Sequence, residues 1–546
     1  MRELVLSIVM LLSAINCMSA STDFEDALAK HGIIKSECQD LSGNAKINIE
    51  TPTCAYINID IASLPTQKGS DMNATLEMYD GNGNYLKLPI IIDVQGNTST
   101  QYVKKNFAID FFTNEERTES PDITIGNWVT QDGFHLKAYY LDYFRGTANV
   151  AYQLFDDIVA DHENYQERAG LSKITAARCY PDAFPCIVYK QGDFYGIYSF
   201  QLKKHRKNMN QNKSTAENIH LDGEMSDQTF FKGNIDWTLF EVRNPKTLYS
   251  FKKGWYNTVT ITEYDGDYPT ELIGTNTRGY NATNEGHVLT AKTKEYIIQL
   301  TKYCSELDNL INRKTSNEQM RQEIEKRFDV TGMIDYMLHA IIVNNYDGFR
   351  KNWQWFTYDG KKWFVAPYDL DGTFGNYWDS SQLMDADKVC VEDVNYQEFN
   401  HFGMFTRKPF TYMETYFRDE LLARYYKLRD NGVLSKENIL NKLHNWTESI
   451  GQDYYNQEWK KWPNSPCITK YHDSLQRISD WIDKRITMAD KYAGYVPTVI
   501  SIIETKKDNT ATEIYTINGT RISTTRPGIN IVRTKDGKTR KFVTCP

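Results

Sequence analysis

Residues 330–375 read VTGMIDYMLHAIIVNNYDGFRKNWQWFTYDGKKWFVAPYDLDGTFG. Apolar side chains at Val330, Met333, Ile334, Met337, Leu338, Ile341 and Ile342 recur at intervals of three and four, which predicts a helix ending at Asn344-Asn345. Trp353–Tyr358 and Lys362–Ala366 then read as two short strands. They are joined at Asp359-Gly360, a dipeptide that tolerates the backbone of a tight hairpin. Asp347 and Asn352 fall between helix and hairpin, and Pro367-Tyr368-Asp369-Leu370-Asp371-Gly372-Thr373-Phe374-Gly375 follows the hairpin.

That order suits phosphoryl transfer. The reaction asks little covalent work of a protein: one carboxylate to orient or deprotonate the acceptor hydroxyl, and oxygen ligands to hold a divalent cation on the phosphates. Protein kinases present these as D-x-x-x-x-N after a helix, then a hairpin, then an Asp-containing glycine turn. Asp347 is the expected catalytic base, and Asn352 and Asp371 are the expected metal ligands. Asp369 is either a further ligand or a support behind one. Magnesium suits so small a set, because it binds through few carboxylates and keeps substrate phosphates and water as its other ligands. Each piece alone has a plainer explanation. Asp347 and Asn352 would serve as helix-exit turn residues, and Asp369 with Asp371 would serve in a calcium loop. No glutamate follows at EF-hand spacing, however, and the pieces come in sequence.

Working outward, Ala55–Phe112 is mostly strand, with Ile57, Ile59 and Ile61 alternating with polar residues and a turn at Asp80-Gly81-Asn82-Gly83. Within it Gln95-Gly96-Asn97-Thr98-Ser99 precedes Lys104-Lys105-Asn106-Phe107. A glycine turn between strands can bring backbone N–H groups to a phosphate, and a lysine adds a point charge, so Gly96, Asn97, Lys104 and Lys105 form a candidate nucleotide site. This is not a P-loop. Alternation puts Lys105 on the face of Phe107 and Ile109 and Lys104 on the other, without saying which face lines a cleft. An ordinary hairpin with exposed lysines would read the same way.

Val150, Leu154 and Ile158 have helical spacing, and Cys186–Tyr189 and Tyr195–Leu202 form a second hairpin. Lys203–Lys213 reads as a solvated basic face. Helices are expected at Thr293–Asn312, Glu318–Phe328, Val330–Val343, Thr411–Arg429, Ser435–Ile450 and Ser474–Tyr492. The expected organisation is α+β: a lead-in segment at 21–54, a strand-rich lobe at 55–209, a polar insertion at 210–290, a helical lobe at 291–496 and a small β tail at 505–546.

Leu4–Ile15 followed by Met18-Ser19-Ala20 has the form of an export signal over residues 1–20. Cys17 offers lipid attachment instead, but Asn16 stands where that chemistry wants a small residue. Net charge is -8 with no basic block, which argues against a nucleic-acid partner. No later apolar run is long enough to cross a bilayer. The cysteines form no C-x-x-C pair or zinc pattern, and Cys179 and Cys186 are the nearest two for a bridge.

These motifs together resemble the CotH (spore coat protein H-like) kinase family. Gln95–Ser99 with Lys104–Phe107 looks like its R-G-N-S-S … K-K-S-Y signature, with Gln95 where arginine is usual. Tyr189–Tyr198 is similar to its N-G-x-Y-x-G-x-Y strand pair. Asn345–Trp353 and Pro367–Gly375 match its N-x-D-x-x-x-x-N and P-x-D-x-D-x-x-x-G core, and Asp142 and Arg145 resemble its D-x-x-x-x-R-N region at shorter spacing. The likeness spans Tyr56 to Tyr495. It implies an atypical, two-lobed protein-kinase-like fold binding ATP with magnesium or manganese, and a hydroxyl acceptor on a protein or glycan. The β tail resembles attachment modules of exported Bacteroidetes proteins. Two other functions remain open: a non-catalytic surface adhesin or structural protein on the same fold, and a metal-dependent phosphohydrolase using the same carboxylates.

Overall fold

The computed structural model describes residues 21–96, 98–162, 180–204, pieces of 206–289, 291–345, 348, 353–377 and, with short gaps, 379–496 and 511–544. The expected signal at 1–20, with Cys17, lies outside the described residues, as does Cys179. Met1–Ala493 form one compact unit and Gly494–Pro546 a second.

Ten strands build the front half. They are β1 (Gln39–Asp40), β2 (Lys46–Ile49), β3 (Ala55–Asp60), β4 (Met72–Tyr79), β5 (Asn84–Gln95), β6 (Asn106–Phe111), β7 (Asp122–Ile125), β8 (Gly133–Lys137), β9 (Ala183–Lys190) and β10 (Asp193–Leu202). Seven of these close on themselves in the order β3-β4-β5-β6-β8-β10-β9, the ring being completed by a parallel β9–β3 pair. The strand-rich region is therefore a closed barrel. Its sequence explains the closure: Ile57 and Ile59, Leu76 and Met78, Leu88, Ile90 and Ile92, Phe107 and Ile109, and Phe134 and Leu136 alternate inward into one core.

The lead-in segment at 21–54 packs onto the barrel. Helix α1 (Asp23–Lys30), closed by a Thr22–Glu25 capping box, lays Phe24, Ala27 and Leu28 against the outer side of the barrel at Tyr56, Tyr79 and Tyr189. Ile450, Tyr454 and Tyr455 complete that outer cluster from the far end of the chain.

Helix α2 (Thr147–Ala160) follows the barrel strand β8 in sequence. The polar segment 210–290 contributes β11 (Ile219–Gly223), β12 (Phe240–Asn244), β13 (Thr247–Ser250) and a separate group, β14 to β16 (Val259–Glu263, Thr270–Gly274, Val288–Leu289). β11 pairs antiparallel with β17 (Trp353–Thr357), and with β18 (Trp363–Pro367) these make one sheet in the order β13-β12-β11-β17-β18.

Helices α3 (Ala291–Asn312), α4 (Asn317–Arg327) and α5 (Val330–Val343) precede the hairpin. The expected helix at Thr411–Arg429 is two, α6 (Phe410–Tyr416) and α7 (Arg418–Asp430), broken at Phe417, whose φ of -129° is not helical. Then come α8 (Lys436–Ile450), α9 (Gln452–Lys461), which was not anticipated, and α10 (Leu475–Ala493). α5 is the central element. Asp329 caps its start by accepting the Gly332 N–H at 3.1 Å, and it is buried on nearly every side. Its buried Asp335 and His339 are both engaged: Asp335 meets His162 at 2.7 Å and Arg424 at 2.9 Å, and His339 Nε2 donates to the Ala151 carbonyl at 2.7 Å.

The C-terminal unit is a four-stranded antiparallel sheet built from Ala511–Thr516, Arg521–Ile522, Gly528–Thr534 and Thr539–Thr544. Cys186 is a free thiol buried in β9, so the bridge considered for it is not made.

Candidate active site

α5 ends where Asn344 takes the left-handed conformation (φ 55°, ψ 49°), a C-cap that asparagine tolerates better than most residues. The buried Arg485 of α10 donates to the Ile341 carbonyl at 2.7 Å and to Asn344 Oδ1 at 3.3 Å, placing a cation on the negative end of the helix. The chain then enters the segment holding Asp347 and Asn352, both outside the described residues.

On the far side of the hairpin, Asp369 is also left-handed (φ 53°), and its N–H donates to Tyr152 Oη of α2 at 2.8 Å. A non-glycine residue there costs of order 1–3 kcal/mol unless its surroundings hold it. They do. Leu370 is buried, Thr373 Oγ1 donates to the Leu370 carbonyl at 2.7 Å, and the Phe374 N–H donates to the Val343 carbonyl at 2.8 Å. That last bond ties the acidic turn to the very end of α5. Asp371, in the 3-10 turn Leu370–Gly372, is exposed and Asp369 half-buried, so both carboxylates sit at an accessible surface.

The two lysines part company. Both precede β6, so strand alternation does not govern them. Lys104 is fully buried: its Nζ donates to Glu458 Oε1 and to the Ile197 carbonyl, each at 2.6 Å, and lies 4.4 Å from the Tyr198 ring centre. Lys105, half-buried, donates to the Thr100 carbonyl at 2.7 Å. Glu458, from α9, also accepts from Arg145 Nε at 2.9 Å and from the Ile197 N–H at 2.8 Å. Two cations thus share one buried carboxylate. Burial lowers the Lys104 pKa to about 8, opposed by Glu458 and reinforced by Arg145. Burial alone would raise Glu458, but Lys104 and Arg145 outweigh it and hold the carboxyl below its usual value.

Arg145 extends this cluster toward the acidic turn. Its Nη1 donates to the carbonyls of Tyr139 (3.1 Å), Tyr140 (2.7 Å) and Asp142 (2.7 Å), gathering that loop around one guanidinium. Asp142 in turn accepts from the N–H groups of Phe144 and Thr147 and so fixes the start of α2. Burial, then Asp369 and Asp371, push the Tyr139 phenol well above its ordinary pKa. The Tyr140 ring lies 5.7 Å from that of Tyr102, whose pKa rises to about 12 through burial and then the charges of Asp371 and Asp379. Tyr102 belongs to the loop between Gly96 and Lys104. One wall of side chains is therefore linked step by step: Arg145 ties the Lys104 cluster to the Tyr139–Asp142 loop, the Tyr140–Tyr102 ring contact reaches the loop after Gly96, and Asp142 fixes the helix whose Tyr152 accepts from the Asp369 N–H.

Gly96 has φ +110°, and a Cβ there would lie 2.0 Å from Ser99 Oγ, so the turn requires glycine. Asn97 lies outside the described residues. Among the described residues no three carboxylate, histidine or cysteine side chains gather as a metal site. Asp369 and Asp371 supply two accessible carboxylates, which fits a magnesium-like ion completed by phosphates and water rather than a closed protein cage. Glu458 was missed in the sequence. Its one signal is a carboxylate in the buried stripe Tyr454, Tyr455, Glu458 of α9.

The family model for CotH kinase protein matches residues 92–488, most of the chain and all of the wall just described. No curated protein matches the sequence.

Proposed function

The chain belongs to the CotH kinase family, and from that premise we propose that it is an ATP- and divalent-metal-dependent phosphotransferase acting on a hydroxyl of an extracytoplasmic protein or glycan. The reading rests chiefly on the buried Lys104–Glu458 ion pair and its connection, through Arg145, Asp142 and the helix Thr147–Ala160 whose Tyr152 accepts from the Asp369 N–H, to the Asp369–Asp371 turn. A lysine–glutamate pair and an acidic metal-holding turn are the parts that protein kinases must bring together. Here the glutamate comes from α9, after the acidic turn in sequence. The two-lobed kinase-like architecture belongs to this proposal, with the barrel as one wall of the nucleotide cleft and the helices as the other.

Asp347 accepts the proton of the acceptor hydroxyl as its oxygen forms a bond to the γ-phosphorus. The bond from that phosphorus to the bridging oxygen breaks, and ADP leaves. Asp369, Asp371 and Asn352 would hold the magnesium or manganese, which supplies neutralising charge on the phosphate oxygens. The Gly96 turn lends N–H groups to the phosphates, and Lys104, anchored by Glu458, sets the position of that loop. Export by the segment at 1–20 would place the reaction outside the cytoplasm.

The test is ATP binding and transfer by the full mature chain. ATP with manganese at about a hundred times its Kd should stabilise the protein by ~2.7 kcal/mol. Asp371→Asn should remove that metal-dependent gain while leaving the ligand-free melting temperature in place, because its side chain is exposed. Asp347→Ala should cut transfer of labelled γ-phosphate by ~10²–10⁴-fold. Absence of both stabilisation and transfer, with either metal, would refute the proposal.

A further inference from the structure

Among the described residues two lysines are buried, and their surroundings differ. Lys104 is committed to Glu458 and to the Ile197 carbonyl. Lys137, the last residue of β8, is 7% exposed, yet its ammonium group makes no hydrogen bond, ion pair or ring contact with any described residue. Leu136 points into the barrel core, so Lys137 points outward.

Strand register names its neighbours. Lys137 is paired with Ser199 of β10, and the Phe107–Leu136 pairing of β6 with β8 brings Asn106 to its other side. Asn106 Oδ1 accepts the Ala138 N–H at 2.8 Å, and Asn106 is in turn the partner of Gln95 on β5. Gln95, Asn106, Lys137 and Ser199 thus form one polar row on the outside of the barrel, about 5 Å from strand to strand. α2 reaches this row where Asn149 Nδ2 donates to Ser199 Oγ at 2.5 Å. Three residues on, along the same face of α2, Tyr152 Oη accepts the Asp369 N–H. One helical turn therefore separates the surroundings of Lys137 from the acidic turn.

An ammonium withdrawn from water without a counter-charge destabilises a fold, so one that is retained points to a ligand that supplies the charge. The row holds other open groups. Gln95 Oε1 and Asn149 Oδ1 are buried and have no hydrogen-bond partner among the described residues. A matching ligand has anionic oxygens for the lysine and hydroxyl or amino hydrogens for the two amide oxygens. A nucleoside triphosphate carries both, and a bare polyphosphate carries only the first.

We propose that Lys137 is the cation that meets the phosphates of the bound nucleotide, with Gln95 and Asn149 receiving its hydroxyl or amino groups, while Lys104 serves to fix the barrel to α9. The inference rests on the phosphotransferase reading above and adds to it a phosphate-binding side chain.

The experiment compares Lys137→Met with the wild type in the full mature chain, by urea denaturation without ligand and by calorimetry with ATP plus manganese and with tripolyphosphate. Loss of an unpaired buried charge should raise the ligand-free urea midpoint, whereas loss of a lysine that holds the fold together would lower it. The ATP Kd should weaken about 10- to 100-fold, the effect of removing one hydrogen bond to a charged group, and tripolyphosphate should weaken alongside it. Lys137→Gln, which keeps a polar end without the charge, should weaken ATP binding to the same degree and serves if the methionine variant fails to fold. Lys87→Met removes the same charge from an exposed position on β5 and should change neither readout. A lower ligand-free midpoint in both Lys137 variants, or an ATP Kd within about threefold of wild type in either, would overturn the assignment. A wild type that binds tripolyphosphate through Lys137 but does not bind ATP would uphold the phosphate site and remove the phosphotransferase reading. A wild type that binds neither would remove both.

Discussion

Glu458→Gln isolates the charge that holds the two halves of the first unit together. The side chains of Lys104, Arg145 and Glu458 are wholly buried, so the substitution leaves two cations in the interior without a counter-charge. Breaking a buried pair by removing one partner costs ~3–5 kcal/mol. Part of that cost is recoverable, because Arg145 keeps its three carbonyls and Lys104 keeps the Ile197 carbonyl and the Tyr198 ring. Lys104 has a further escape. Its pKa is already down to about 8 from 10.5, and without Glu458 it falls further, so the lysine sheds its proton. The sign follows from linkage. In the variant the folded state binds fewer protons than the unfolded chain from below pH 8 up to about 10.5, so variant stability rises with pH across that window. Wild type shares that rise above pH 8, where its own Lys104 titrates, so the penalty shrinks as pH climbs toward 8 and should be larger at pH 7 than at pH 9. Urea denaturation at the two pH values measures it as a shift in midpoint at constant slope. Lys104→Met should cost less, about 1–3 kcal/mol, since Glu458 keeps Arg145 and the Ile197 N–H. Adding Lys104→Met to Glu458→Gln should restore stability. A Glu458→Gln protein within ~1 kcal/mol of wild type, or a penalty that grows with pH, would refute a buried, charge-balanced cluster.

His339 gives the acid counterpart. Burial holds its pKa near 4 instead of 6.5, so between those values the unfolded chain takes up a proton that the folded one refuses. Stability should fall by up to about 3 kcal/mol as pH drops across that interval, and His339→Gln should flatten this part of the pH profile; parallel profiles for the two proteins would rule the assignment out. Gly96→Ala should strain a backbone at φ +110° and drive a methyl into Ser99 Oγ. About 1–3 kcal/mol of strain in the turn proposed to meet the phosphates should weaken ATP binding tenfold or more, read by calorimetry, and unchanged affinity would take Gly96 out of the proposed nucleotide site.

Much of this molecule is legible one segment at a time, and what escapes is what distant segments do to each other. The alternation of Ile57, Ile59 and Ile61 and the three-four spacing of Val330–Ile342 report which face of a local element meets a core, and both elements form. Alternation cannot report that β9 returns parallel to β3 and closes a barrel, because closure depends on strand order rather than on any one strand. Nor could it place Lys104, which precedes its strand and turns inward only because a carboxylate 354 residues later is waiting there. The break at Phe417 was hidden for a related reason: a large apolar residue continues the helical stripe in sequence even where its backbone leaves the helix. Position 458 shows the limit most clearly. A glutamate among Tyr454, Tyr455 and Trp459 looks like one more polar residue on an amphipathic helix, since burial of its charge is tolerable only once two cations from the barrel side arrive. The stabilising interaction and the residue that needs it come from different halves of the chain. A charge within an aromatic stripe is thus the local trace of a long-range partner, and here that partner is the lysine the family motif carries.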